Sequence, residues 1–294
     1  MSYDFKGLGI AIITPFNEKG HIDFDALARL LEFWIEGGAD YLVVMGTTGE
    51  AATLDAEERA DLLRFCVAET HGRIPLVVGI GGNNTRAVLH ELETLDTRGV
   101  RGILSVAPYY NKPNQEGLFR HFSLIAEASP LPLILYNVPG RTASNMTAET
   151  TLKLALKYPV IAGIKEASGN LDQITTLLRD RPDNFLVISG DDNLTLPLMA
   201  AGADGVISVV ANAFPKEYGL MVKALLRGNL AEARPIHLQL YRLVQLLFAD
   251  GSPGGIKYVM HKKGLCAGYL RLPLWEISEE VKRKIDEALE KLNF

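Results

Sequence analysis

The sequence predicts an α/β protein: a closed (β/α)₈ TIM barrel with a C-terminal helical extension. Two observations carry this reading. Eight short apolar runs recur along the chain, separated by helical patterns of roughly ten to fifteen residues, as in successive βαβ units around a parallel sheet. The first run ends in Thr14-Pro15-Phe16-Asn17, without the GxGxxG that a doubly wound nucleotide-binding sheet shows at that point. Gly79-Ile80-Gly81-Gly82 approaches that motif only after the third run, where glycines serve tight turns. At 294 residues, the length suits a single barrel.

The elements follow in order. Gly9 to Ile13 is the first strand, and Asp23 to Glu36 a helix with Leu27, Leu30, Leu31, Trp34 and Ile35 on one face, ending at Gly37-Gly38. Tyr41 to Met45 is the second strand, followed by the loop Gly46-Thr47-Thr48-Gly49-Glu50 and a helix over about 56–70. Leu76 to Gly79 is the third, with a helix reaching Arg98, and Gly102 to Val106 is the fourth, running into Pro108-Tyr109-Tyr110-Asn111. Leu133 to Asn137 precedes Val138-Pro139-Gly140-Arg141-Thr142. The sixth strand leads through Val160-Ile161-Ala162-Gly163-Ile164 to Lys165, and its β-branched, apolar character predicts burial on both faces. Phe185 to Ser189 and Gly205 to Val210 complete the set.

The barrel is expected over residues 1–227. Residues 228–294 form a helical region packed on it, with helices at Leu230 to Phe248, Gly255 to Lys263 and Ser278 to Leu292. The last mixes both charge signs around Val281, Ile285, Ala288 and Leu289, which reads as an amphipathic helix with a solvated face.

Composition excludes several classes. The chain is 48% hydrophobic and 22% charged, with net charge −5, so no basic excess points to nucleic acid or a membrane surface. No apolar stretch approaches a membrane span, and Met1 to Lys6 lacks a signal-peptide core. Two cysteines, Cys66 and Cys266, without a CxxC suit a reducing cytoplasm rather than a disulfide framework. His21, His71, His90, His121, His237 and His261 show no ligand spacing; we expect no metal, no cofactor, and surface positions for these histidines.

Barrel sites lie at the C-terminal ends of the strands. That rule gathers Thr47, Thr48, Tyr109, Tyr110, Tyr136, Arg141, Lys165 and backbone groups around Gly190 and Ile207. Burial favours a neutral amine over an ammonium, and the neutral amine is the form that condenses with a ketone. Hydroxyls pass protons, and a guanidinium grips a carboxylate through two parallel hydrogen bonds. Each residue also fits a plainer role. Tyr136 suits a core tyrosine, Tyr109-Tyr110 interface packing, Thr47-Thr48 turn residues, Arg141 an exposed charge, and Lys165 a lysine whose head reaches water. Their joint arrival at one face favours the chemical reading.

Gly46-Thr47-Thr48-Gly49-Glu50, Pro108-Tyr109-Tyr110-Asn111, Tyr136-Asn137-Val138-Pro139-Gly140-Arg141-Thr142 and Gly163-Ile164-Lys165-Glu166-Ala167-Ser168-Gly169 resemble the pyruvate-dependent Schiff-base aldolases of the dihydrodipicolinate synthase and N-acetylneuraminate lyase superfamily. The resemblance covers nearly the whole chain, in the family's order and spacing. Arg141 resembles the synthase branch, since the matching loop of sialic-acid lyases lacks the arginine.

The resemblance implies that Lys165 forms a Schiff base with pyruvate and that Thr48, with nearby backbone N–H groups, holds its carboxylate. Tyr136, Thr47 and Tyr110 would form a proton relay, with Tyr110 reaching a neighbouring subunit's site in a homotetramer built from dimers. Arg141 would orient L-aspartate 4-semialdehyde, giving 4-hydroxy-tetrahydrodipicolinate for lysine and diaminopimelate biosynthesis. The alternatives are an aldolase acting on a keto-deoxy sugar acid or N-acetylneuraminate, and a regulatory barrel that keeps only the scaffold.

Lysine-inhibited relatives bind lysine in a cleft between subunits. There this chain matches with Asn83 and Tyr109 but has Ala51, Ala56, Arg59 and Ala87, the last replacing a glutamate. Inhibition by free lysine is therefore expected to be weak or absent.

Overall fold

A computed structural model describes residues 5–294 of the chain. The first four residues, with which the N-terminal signal-peptide reading and the expected barrel begin, lie outside the described residues. Eight parallel strands close into a barrel in sequence order, the first pairing with both the second and the eighth. They are β1 (Gly7–Ala11), β2 (Tyr41–Val44), β3 (Leu76–Gly79), β4 (Val100–Val106), β5 (Leu133–Asn137), β6 (Ile161–Glu166), β7 (Leu186–Ser189) and β8 (Gly205–Ser208). Helices α1 (Phe24–Glu36), α2 (Ala56–Thr70), α3 (Thr85–Thr94), α4 (Gln115–Ala128), the single turn α5 (Pro139–Thr142), α6 (Ala148–Lys157), α7 (Leu171–Asp180), α8 (Thr195–Ala200) and α9 (Pro215–Leu226) follow the strands. Then come α10 (Leu230–Leu247), α11 (Gly254–Lys262) and α12 (Glu279–Leu289); α10 packs along α9, and α12 along α10.

Helix starts follow from local chemistry. Asp23 accepts the Ala26 N–H at α1, and Asp55 and Glu58 form a reciprocal capping box at α2. The outward strand faces and the helices share one large core, whereas Ala11, Val43, Val77, Leu104, Ile134, Ile188 and Ile207 fill the barrel interior.

Several element bounds change; β4 starts two residues earlier than read, at Val100, and α12 ends three earlier, at Leu289. β1 begins and ends two residues earlier than read, because Ile12 and Ile13 continue past the ladder towards the loop. β8 stops at Ser208, where the chain turns into a short 3₁₀ segment from Val210 to Asn212. α3 ends at Thr94 instead of reaching Arg98. Leu95 turns extended, the Asp96 carboxylate accepts both the Arg98 N–H and its guanidinium, and Gly99 takes a left-handed φ of 77°.

The histidine expectation also needs correcting. His121 is buried on the inner face of α4, with Nδ1 2.8 Å from Thr85 Oγ1, and burial lowers its pKa to about 4. His237 is half-buried. Cys66 packs as a small hydrophobe, its thiol pushed up to about 12 by burial.

One irregularity in β6 matters for the site. Leu133 pairs with Ile161, but the next residue, Ile134, pairs with Gly163, so Ala162 is an extra residue. Ile161 and Ile164 both face the outer core, and Ala162 faces inward. Strict alternation would put Lys165 on the outward face with Ile161; the bulge turns it into the barrel. A Cβ at Gly163 would sit 2.4 Å from the Leu186 carbonyl oxygen, so the bulge requires glycine. Gly163→Ala is expected to cost about 1–3 kcal/mol of stability. It should also lower kcat more than a comparably destabilising substitution in α12 does, which paired melting and rate measurements would check.

Candidate active site

Lys165 lies one residue from the C-terminal end of β6 and is 5% exposed. It is directly opposite Tyr136 of β5 in the register, and its Nζ is 4.3 Å from the centre of that ring. The Tyr136 ring thus presents its aromatic face to the amine. Lys165 makes no ion pair among the described residues. Gly190, just after β7, packs against the lysine stem: a Cβ there would lie 3.0 Å from Lys165 Cε and 2.7 Å from Ala167 Cβ.

The remaining candidates surround this pair unevenly. Ile207 on β8 belongs to the interior cluster that includes Tyr136. Thr48 is buried and Thr47 exposed, on two overlapping tight turns closed by Gly49 N–H to Gly46 O and Glu50 N–H to Thr47 O, both 3.1 Å. Arg141 is exposed on α5, a helical turn opened by Pro139 rather than an open loop. Tyr110 is 88% exposed, with a left-handed φ of 72°. Among the described residues no hydrogen bond joins Tyr136 to Thr47 or Tyr110.

Sequence reasoning missed the groups behind the site. Glu166, next to Lys165, is buried and faces outward. Burial raises its pKa, opposed by hydrogen bonds from Ser168, Asn137 and Gln173. Asn137 Nδ2 donates to both Glu166 oxygens, and Asn137 Oδ1 accepts the Met146 N–H at 3.0 Å, so β5, β6 and α7 are tied together at the site's edge. Asp191 follows Gly190; burial raises its pKa and the nearby Lys165 amine lowers it. Asp192 accepts the Val209 and Val210 N–H groups at 3.0 and 2.8 Å, joining the ends of β7 and β8. The signal available beforehand was two consecutive carboxylates directly after a barrel strand.

These features define a (β/α)₈-barrel enzyme with its chemistry at the C-terminal mouth. Comparison with known proteins narrows the class. The sequence profile of the dihydrodipicolinate synthetase family matches residues 4–292. The chain is 48% identical over 290 residues to 4-hydroxy-tetrahydrodipicolinate synthase of Parabacteroides distasonis, covering 99% of this chain and 98% of that one. It is 49% identical over 284 residues to the synthase of Azobacteroides pseudotrichonymphae, covering 97% and 96%. The crystal structure of dihydrodipicolinate synthase from Aquifex aeolicus superposes with a TM-score of 0.94 at 41% identity, covering 98% of each chain. The chain belongs to the dihydrodipicolinate synthetase family. It is an enzyme, a lyase with 4-hydroxy-tetrahydrodipicolinate synthase function in lysine and diaminopimelate biosynthesis.

Proposed function

We propose that Lys165 carries this function as the Schiff-base nucleophile, condensing pyruvate with L-aspartate 4-semialdehyde without a cofactor. The observation that supports it most is the inward-turned, unpaired Lys165 amine 4.3 Å from the Tyr136 ring. The amine adds to the pyruvate ketone, and the carbinolamine loses water to give an imine. Removing a methyl proton gives an enamine, whose terminal carbon attacks the aldehyde of the semialdehyde. The product is a ring containing nitrogen, so the semialdehyde's own amine must then displace Lys165, which leaves as the free amine. One water is released overall.

Each step moves a proton, which is the proposed work of Tyr136, Thr47 and Tyr110. The left-handed backbone at Tyr110 supports a functional role, since non-glycine residues keep such conformations where their surroundings enforce them. Its 88% exposure supports its donation to a neighbouring subunit, in a tetramer built from dimers. Thr48 is proposed to hold the pyruvate carboxylate, with Gly190 and Ile207 lining the substrate. We propose that the barrel unit runs to residue 227, that residues 228–294 form the helical region, and that the enzyme works in the cytoplasm. A coupled assay with pyruvate and aspartate semialdehyde, run beside sugar-acid cleavage assays, tests the substrate pair; preferential sugar-acid cleavage would refute it.

Arg141 is proposed to grip the semialdehyde carboxylate. Its exposure leaves the guanidinium free for a ligand, and a charge-assisted bidentate contact contributes roughly 1.5–3 kcal/mol. Arg141→Ala should therefore lower kcat/KM for the semialdehyde by about ten- to a hundred-fold while pyruvate trapping persists. Equal damage to both substrates would make Arg141 structural.

Free lysine is proposed to inhibit weakly or not at all. Arg59, read as adding like charge, is paired with Glu91 and also bonds the Gly79 carbonyl, so its repulsion is smaller than the sequence implied. Titration with lysine at saturating pyruvate checks this, and half-inhibition below about 1 mM, equivalent to roughly 4 kcal/mol of binding, would contradict it.

A further inference from the structure

The loop presenting Thr47 and Thr48 is bracketed by two non-glycine residues with left-handed backbone, Met45 at φ 58° and Glu50 at φ 54°. Such a conformation lasts only where neighbours over-determine it. The turn hydrogen bonds inside the loop are joined by one from Thr14 Oγ1 to the Gly49 carbonyl at 2.7 Å. The firmest anchor comes from the far end of the chain. Lys257, on α11, is completely buried and forms an ion pair with the equally buried Glu50 carboxylate. Its Nζ also donates to the Tyr269 carbonyl at 2.8 Å, and the Arg271 N–H donates to Glu50 Oε2 at 3.1 Å.

The anchor extends across the barrel mouth. The Arg271 guanidinium donates to the carbonyls of Gly20 at 2.7 Å and Thr53 at 3.0 Å, and to Glu58 at 2.7 Å. Lys257 Nζ and Arg271 Cζ lie 4.3 and 4.4 Å from the centre of the Phe16 ring, in the loop after β1. Residues 269–271 thus strap the loops after β1 and β2. A buried ion pair is a poor source of stability, because desolvation offsets the attraction. It is a good source of geometry, because neither charge can move without losing its partner.

We infer that Lys257 and Glu50 are positioning residues for pyruvate: through their ion pair the C-terminal extension sets the shape of the loop that presents Thr47 and Thr48. This rests on the proposed role of Thr48. It makes pyruvate recognition depend on a helix outside the barrel.

The test is the double variant Glu50→Gln/Lys257→Met, which removes both charges and strands neither. Amide exchange over 45–54 should quicken. The pyruvate KM should rise about ten- to a hundred-fold, the scale of a small misplacement of a binding group, and by a larger factor than kcat falls. Glu50→Gln/Lys257→Gln, which also strands neither charge but keeps polar heads, should move KM the same way by a smaller factor, and serves if the first double variant does not fold. Thr48→Val is run beside them and should raise the pyruvate KM with exchange unchanged. Unchanged exchange over 45–54, or an unchanged KM while Thr48→Val raises it, overturns the inference. No response of KM to Thr48→Val instead refutes the Thr48 reading, and the positioning claim falls with it.

Discussion

Pyruvate and borohydride together are expected to leave one reduced adduct, on Lys165, and Lys165→Ala to remove both the adduct and turnover. The competitor among buried lysines is Lys257. Its amine is committed to Glu50 and to the Tyr269 carbonyl, so it is held as a hydrogen-bond donor. Lys165 is nearly as buried but forms no ion pair among the described residues, and it sits at the C-terminal end of its strand. An amine already held by a carboxylate and a carbonyl in a closed interior is not available to a ketone, whereas one at the mouth of the barrel is. Removing a covalent nucleophile should cost on the order of 10⁴-fold or more in kcat. Peptide mass mapping after trapping identifies the lysine. An adduct on another residue, with Lys165 unmodified, would overturn the mechanism.

The barrel was legible because eight βαβ units leave a repeated local signal, and each strand is a short apolar run whatever its neighbours do. Several features of the site were not. The inward aim of Lys165 depends on the extra residue Ala162 in β6, and a period-two reading of Ile161 to Lys165 puts the amine on the wrong face. The burial of His121 follows from its place on the apolar face of α4 with Leu118, Phe122 and Ile125, but its partner Thr85 comes from another helix.

The positioning groups were hidden for a related reason. Glu166 and Asn137 look like ordinary polar residues at strand ends, and become a buried network only when β5 and β6 lie side by side. Glu50 and Lys257 are separated by most of the chain, so no local pattern links them. A lysine within Gly255-Ile256-Lys257-Tyr258-Val259-Met260 was the one available hint, since a cation in an apolar helical stretch needs a partner. Lys165 could be picked out from its strand, whereas the buried network beside it arises from tertiary contact.

Tyr136→Phe is expected to lower kcat by about 10²–10⁴-fold while the protein stays folded and still binds pyruvate. The substitution keeps the ring that lies beside the Lys165 amine, so both the packing of the barrel interior and the cation–π contact survive. Only the hydroxyl is lost. That hydroxyl makes no hydrogen bond among the described residues, so removing it leaves no buried partner unsatisfied and should shift the melting temperature by no more than about 2 °C. Carbinolamine formation, its dehydration and enamine formation each need a proton moved at or beside the amine, and Tyr136 is the hydroxyl-bearing residue directly opposite Lys165 in the register. The loss should therefore fall on kcat, with the KM for pyruvate changed by less than about threefold, since an interaction made only in the transition state lowers kcat without weakening binding. Steady-state kinetics and a thermal melt on the same preparation check both parts. Turnover within a few-fold of the parent would remove Tyr136 from the proton relay, and a large fall in melting temperature would make its role structural.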